Sequence, residues 1–269
     1  MASNPDEHTL GNSGADITLV DLMFGDLSYE DMEPSDEELF KRAREELRRN
    51  MPRDLSLPSS DRLASFATNL ELAIAASEWI EHNFSYFSNI VLTQFQTEVI
   101  QEAPTKDYSP MVVNTVAEAV FDPQYDMPND LPDGITATDF HLQVYFCAVA
   151  MGMNAVQHFA FKFMCAALGE DGLTPEQLRS LVEKHGLFTP AFCKKTRSVL
   201  PFHKVMCTLA THIVLYEDDL CGSKVYSDLF LTTEGYLPYW LNKVRRGVKA
   251  YVEVVKREDP AAYRRRFPG

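Results

Sequence analysis

Apolar residues recur along this chain at helical rather than strand spacing. Leu63, Phe66, Leu70, Ile74 and Trp79 follow one another at three-to-five-residue intervals, which is the repeat of one helix face. They predict a long helix over 61–83, capped by Ser59 or Ser60 behind a linker at 54–60. Phe87, Ile90, Val91, Phe95 and Val99 predict a second helix over 86–102. Ser109 and Pro110 suit the N-cap and first position of a third, through Val120. The stretch 122–136 carries three prolines and four aspartates and reads as a loop between two lobes. Thr138 then opens an apolar helix or helix pair to Leu168, kinked at Gly152 and stopped by Gly169. Thr174, Pro175 and Gln177 form a capping-box start, and Gly186 ends that helix. Thr189 and Pro190 start another, through Leu200. Residues 202–216 are apolar and helical. Residues 217–237 read as irregular, with a short strand or turn at 225–231. Trp240, Val244, Val248 and Val252 form the stripe of a last helix over 239–257.

Upstream of these lies a polar stretch, 1–16, and then ITLVDLMFGDLSY, an apolar island at 17–29. Ile17, Leu19, Leu22 and Phe24 are its candidate oligomerisation residues. Ser35 and Glu38 fit a capping box for a mostly solvated helix that Pro52 stops. The fold expected is all-α: an acidic arm with one solvated helix (1–58), an N-terminal helical lobe (59–121), a C-terminal helical lobe (137–257) and a basic tail (258–269).

With 45% hydrophobic and 24% charged residues among 269, wholesale disorder is excluded. The net charge of −14 is unevenly spread. Residues 1–60 hold 14 acids and 6 bases, residues 61–150 hold 13 and 2, and residues 151–269 hold 12 and 17. The acidic pI argues against nucleic acid only if charge is uniform, and here the last third is basic. The five cysteines form no Cys-x-x-Cys pair, which predicts buried thiols in a reducing compartment. MASNPDEHTL lacks the form of a signal peptide. The apolar run 140–168 contains His141, Gln143, Asn154, Gln157, His158 and Lys162, so no membrane partner is expected.

Candidate chemistry is sparse. There is no Walker loop, dinucleotide turn, nucleophile elbow or His-Glu-x-x-His. No catalytic residues, no cofactor and no metal are expected. His203 and His212 are nine residues apart and fall on opposite sides of one helix. Cys193, in a first helical turn beside Lys194 and Lys195, suits a depressed thiol pKa; a helical pocket near Cys193 and His203 is the one enzymatic reading. Glu217, Asp218 and Asp219 read as a solvated loop. The cations carry more weight. Lys194, Lys195, Arg197 and Lys204, with Arg245, Arg246 and Lys249 on the last helix, are candidates to track a phosphate backbone. Phe192, Phe202, Tyr239 and Tyr251 are candidate stacking platforms.

The segments LPDGITATDFHLQVYFCAVAMGMNA and LRSLVEKHGLFTPAFCKKTRSVLPF resemble two blocks of the coat proteins of flexible filamentous plant RNA viruses, the potexvirus and carlavirus group. The resemblance covers about a quarter of the chain. It implies a helical fold, subunit docking through terminal arms, and RNA held in an inner groove. It also implies that Lys194 or Lys195 takes the role of an RNA-contacting arginine, and Asp228, in YSDLFL, that of an aspartate in a Phe-Asp-Phe-Phe block. Lysine keeps the charge but lacks the bidentate fork; the Phe-Asp-Phe-Phe block is not intact, and the Trp after the Phe–Cys block is missing. The function expected is a coat-like protein that binds RNA without reading its sequence and self-associates, in a virion or host cytoplasm. The alternative is a cytoplasmic helical adaptor that docks a partner through 17–29.

Overall fold

The computed structural model describes residues 42–43, 45–46, 48–61, 64–84, 102–171, 173–196, 200–261 and 264. The arm residues Ile17, Leu19, Leu22 and Phe24, the Ser35/Glu38 cap, and 86–101 of the second expected helix lie outside them. Helices dominate the described chain, with one two-stranded antiparallel sheet; the all-α class holds. Contacts divide the chain into two units. One runs through Tyr125 and also takes Met151–Ala155; the other holds Asp126–Ala150 and everything from Val156 onward.

The first unit corrects the expected 61–83 helix. Leu55–Pro58 is a strand (β1), not a linker, and pairs antiparallel with Ser65–Thr68 (β2). Ser59 closes the hairpin: its hydroxyl donates to the carbonyls of Asp61 and Ala64 at 3.0 Å. Leu55 and Leu57 are buried on β1 with Ser56 exposed between them, the two-residue alternation of a strand. The helix starts only at Leu70, where Asn69 caps it by accepting from the Leu72 amide. It runs over Leu70–Ala76 (α1) and breaks at Ser77, whose hydroxyl accepts from the Ile80 amide and donates to the Met151 carbonyl. Glu78–Phe84 (α2) follows. Pro110–Glu118 (α3) begins as expected at Ser109 and Pro110. Arg53 reaches Glu118 with both terminal nitrogens, at 2.5 and 3.1 Å, and Thr68 donates to the Ala117 carbonyl; these bonds tie the hairpin to α3.

The second unit opens with Ala137–Met151 (α4). Its cap is Thr136, which accepts from the Asp139 amide, rather than Thr138. Gly152, with φ +66°, turns the chain into Asn154–Asp171 (α5). A Cβ at Gly152 would sit 2.7 Å from the Glu78 Cβ, so both conformation and space require glycine. α5 runs through Gly169 instead of stopping there; a glycine weakens a helix by about 1 kcal/mol but does not end one whose backbone ladder continues. Both helices are apolar on most sides and much of each is buried. Pro175–His185 (α6) shows the full capping box of Thr174 and Gln177, and left-handed Gly186 ends it.

Pro190–Thr196 (α7) is shorter than the helix expected through Leu200, and 197–199 fall outside the described residues. Leu200–Leu215 (α8) follows. The stretch expected to be irregular is helical: Glu217–Cys221 (α9) and Lys224–Thr232 (α10), the latter capped by Ser223. Tyr226 and Leu229 are its buried residues, three apart as on a helix rather than two apart as on a strand. Gly235, at φ +84°, leads into Tyr236–Glu258 (α11), whose stripe buries Trp240 and Val248 with Val244 and Val252 half-covered. α8 and α11 make the most extensive helix pairing in the unit. Among the described residues no helix is long and apolar enough to cross a membrane.

Candidate binding groove

The α8–α11 pairing leaves an open groove of about 560 Å³ at one end. Three elements build it. α7 brings Cys193 and Lys194, α8 brings His203 and Met206, and the turn into α11 brings Glu234, Tyr236, Tyr239 and Trp240. The αL turn at Glu234 and Gly235 sets where α11 starts and so where its first-turn aromatics stand.

The polar groups of this groove are largely occupied with one another. The Lys243 ammonium lies 3.1 Å from His203 Nε2 and 4.6 Å over the Trp240 ring, a cation–π contact. An ammonium has only donors, so His203 Nε2 accepts and the imidazole is neutral. Its Nδ1 faces Cys207 Sγ at 3.9 Å, and its ring meets Trp240 edge-on at a centroid distance of 4.6 Å. Desolvation and the Lys243 charge both hold the His203 pKa below its ordinary value.

Cys193 and His203 are thus brought into one groove, but the depressed thiol is overturned. Burial raises the Cys193 pKa, and a hydrogen bond from the Trp240 side chain only partly offsets it. No carboxylate is bonded to His203 among the described residues. The arrangement offers an apolar, aromatic floor with cations at its edge, suited to binding.

A second polar cluster lies on α4 and α6. Asp139, buried with its side chain 4% exposed, takes His185 Nε2 at 2.6 Å and Lys184 Nζ at 3.0 Å. Lys184 also donates to the Gly134 carbonyl, and Gln143 to Asp139 at 3.3 Å. Burial alone would raise the Asp139 pKa; the bonds and charges of His185 and Lys184 outweigh it and hold the carboxyl below its ordinary value. The His185 ring packs on Phe146, which also meets Phe192 and Phe202. Those two phenylalanines therefore belong to an internal aromatic cluster, whereas Tyr239 and Tyr251 are exposed. His141, in an aromatic setting of Phe140 and Phe163, has its pKa pushed down to about 4 by burial. No group of three His, Cys, Asp or Glu side chains among the described residues could hold a metal ion.

The remaining sequence candidates are dispersed. Lys204 lies 4.0 Å over the Phe161 ring. Asp228 pairs with Arg179 at 3.6 Å, and Arg245 with Glu217 at 2.6 Å. Glu217 is therefore on a helix and bonded, not in a solvated loop. Lys195 is on the α7 backbone, and Arg197 lies outside the described residues. Arg246 and Lys249 are exposed on α11 and form no ion pair among the described residues. No protein family, no curated protein and no solved structure matches the chain.

Proposed function

We propose that the second unit is a non-catalytic RNA-binding module of a self-associating, coat-like protein, as the resemblance to filamentous-virus coat proteins implies. One observation carries the reading. α11 bears Lys243, Arg245, Arg246, Lys249, Lys256 and Arg257 against only Glu253 and Glu258, and it starts from the aromatic groove. A basic helix beside aromatic rings suits backbone contact with stacking and no base readout. Arg246 and Lys249 are the principal phosphate contacts, with Lys194 at the groove. Arg245, Lys204 and Asp228 act by holding neighbouring helices.

The test is RNA binding across a salt series. Purified protein carries nucleic acid, seen as a 260/280 nm absorbance ratio that falls after a high-salt wash. Its affinity for single-stranded RNA falls with salt on a log–log line. Arg246→Glu with Lys249→Glu shallows that slope by about 1.4, since each phosphate contact to a single strand contributes about 0.7. An unchanged slope, or no RNA binding at 50 mM salt, refutes the reading.

A further inference from the structure

Most polar groups of the groove are occupied with one another, but two charged side chains that line it are not. Lys194, on α7, and Glu234, in the left-handed turn before α11, are both exposed. Neither side chain forms a hydrogen bond or ion pair among the described residues, and the two do not pair with each other although they line one concavity. The rest of the lining is aromatic and apolar. Trp240 is buried, lies under the Lys243 ammonium and meets His203 edge-on, so it serves as floor. The ring left open to a ligand is Tyr239, which is 60% exposed and set edge-on to Trp240 at 6.0 Å. His203 offers no free acceptor at Nε2, which already takes Lys243. At about 560 Å³ the groove has the size of a small-molecule site, a class that spans about 300–1,000 Å³.

A ligand that satisfies this lining has three parts: a flat body for Tyr239, an anion for Lys194, and N–H donors for the Glu234 carboxylate, which has only acceptors. Their separation narrows the class. An α-amino acid carries its ammonium and carboxylate on one carbon, which calls for Lys194 and Glu234 side by side, where they would pair. A nucleotide sets its phosphate and the Watson–Crick edge of its base at opposite ends. Among the bases only guanine presents two adjacent donors, N1–H and N2–H, which one carboxylate takes with both oxygens. Adenine and cytosine offer an amino group beside a ring acceptor, and uracil one N–H between two carbonyls; those acceptors repel a carboxylate. We propose that the groove is a guanine nucleotide site. Glu234 holds the Watson–Crick edge, Tyr239 stacks on the base, and Lys194 takes the phosphate. The site shares Lys194 with the RNA reading above but stands on Glu234 and Tyr239, and it adds a base contact that α11 does not make.

The experiment is calorimetric titration of the full-length protein, freed of nucleic acid by a high-salt wash, with guanosine and adenosine 5′-monophosphates. The guanine nucleotide binds saturably, one per chain, and the adenine nucleotide at least about tenfold more weakly. Glu234→Gln exchanges one acceptor oxygen for a donor; guanine affinity falls by about that factor, adenine affinity holds, and the preference disappears. Lys194→Gln weakens both nucleotides by the same factor and brings guanosine monophosphate level with guanosine. Inosine monophosphate, which lacks the N2 amino group, binds the parent between the other two, so the base assignment is tested even where a variant misfolds. A pentanucleotide with one central guanine separates the sources of the base: displacement of the mononucleotide supports a guanine within a strand, and no displacement supports a free nucleotide. No saturation below about 1 mM guanosine monophosphate, weaker than any affinity that would fill the site, overturns the proposal. Equal binding of the two nucleotides reduces it to a phosphate contact and overturns the base assignment, as does a preference that survives Glu234→Gln. Displacement of the nucleotide by free tyrosine at equal concentration assigns the groove to an amino acid instead. Guanine binding that persists when no RNA binds refutes the RNA reading and leaves this site standing; RNA binding without it does the reverse.

Discussion

Replacing Asp139 by asparagine isolates the buried charge on which α4 and α6 meet. Asparagine keeps the shape and removes the anion. His185, with only 12% of its side chain exposed, loses a charged acceptor, which costs about 1.5–3 kcal/mol. Lys184 is 43% exposed, so water replaces most of its contact and its share is about 0–1 kcal/mol. The two together give about 2–4 kcal/mol. For a chain of this size that is a fall in melting temperature of roughly 5–15 °C. The pH dependence is set by direction. The Asp139 pKa is lowered on folding, so its stabilisation is fully present above the unfolded value near 3.9 and is lost as pH falls through the lower folded value. The gap between parent and Asp139→Asn is therefore complete at pH 7 and narrows below about pH 4. Thermal unfolding followed by circular dichroism at pH 7 and pH 3 measures both. A variant melting within 1 °C of the parent at pH 7, or a gap that widens in acid, refutes the reasoning.

Gly152→Ala forces a positive φ on a residue with a Cβ and drives that Cβ into Glu78; the expected loss is about 2–4 kcal/mol in denaturant unfolding, whereas Gly169→Ala, mid-helix with open space, gains up to about 1 kcal/mol. Alkylation with iodoacetamide at pH 7 proceeds first at exposed Cys221 and last at buried Cys147, as peptide mapping over time reads out. Cys193 lags at neutral pH and gains rate as the pH climbs through the alkaline range, because its thiol pKa is raised; labelling at Cys193 that is already fast at pH 6 contradicts this.

The parts of the fold legible in the sequence are those whose signals are local. Thr174, Pro175, Gln177 and Gly186 bracket α6 because cap, proline and left-handed stop act within one turn. The stripe Trp240, Val244, Val248 marks α11 for the same reason. The hairpin was hidden because Phe66 falls in step with Leu63 and Leu70, while the decisive bonds run from Ser59 to Ala64 and from Thr68 to Ala117. α10 was hidden by the apolar density of 225–231, which suits either period. Of the groove, Cys193 and His203 were visible as neighbours along the chain, but Trp240 and Lys243 reach them only by the packing of α8 on α11. Asp139 carried a weak signal, an acid opening an apolar helix; its partners Lys184 and His185 lie over forty residues away.

The short turn Met151–Ala155 belongs to the first unit although the helices on either side of it belong to the second. There Ser77 donates to the Met151 carbonyl, the Glu78 amide to that of Gly152, and Met153 is buried. The polypeptide therefore threads out of one body, into the other and back. Expressing the chain from Asp126 onward would carry off this turn, leaving the Ser77 hydroxyl and the Glu78 amide without their acceptors and Met151 and Met153 bare.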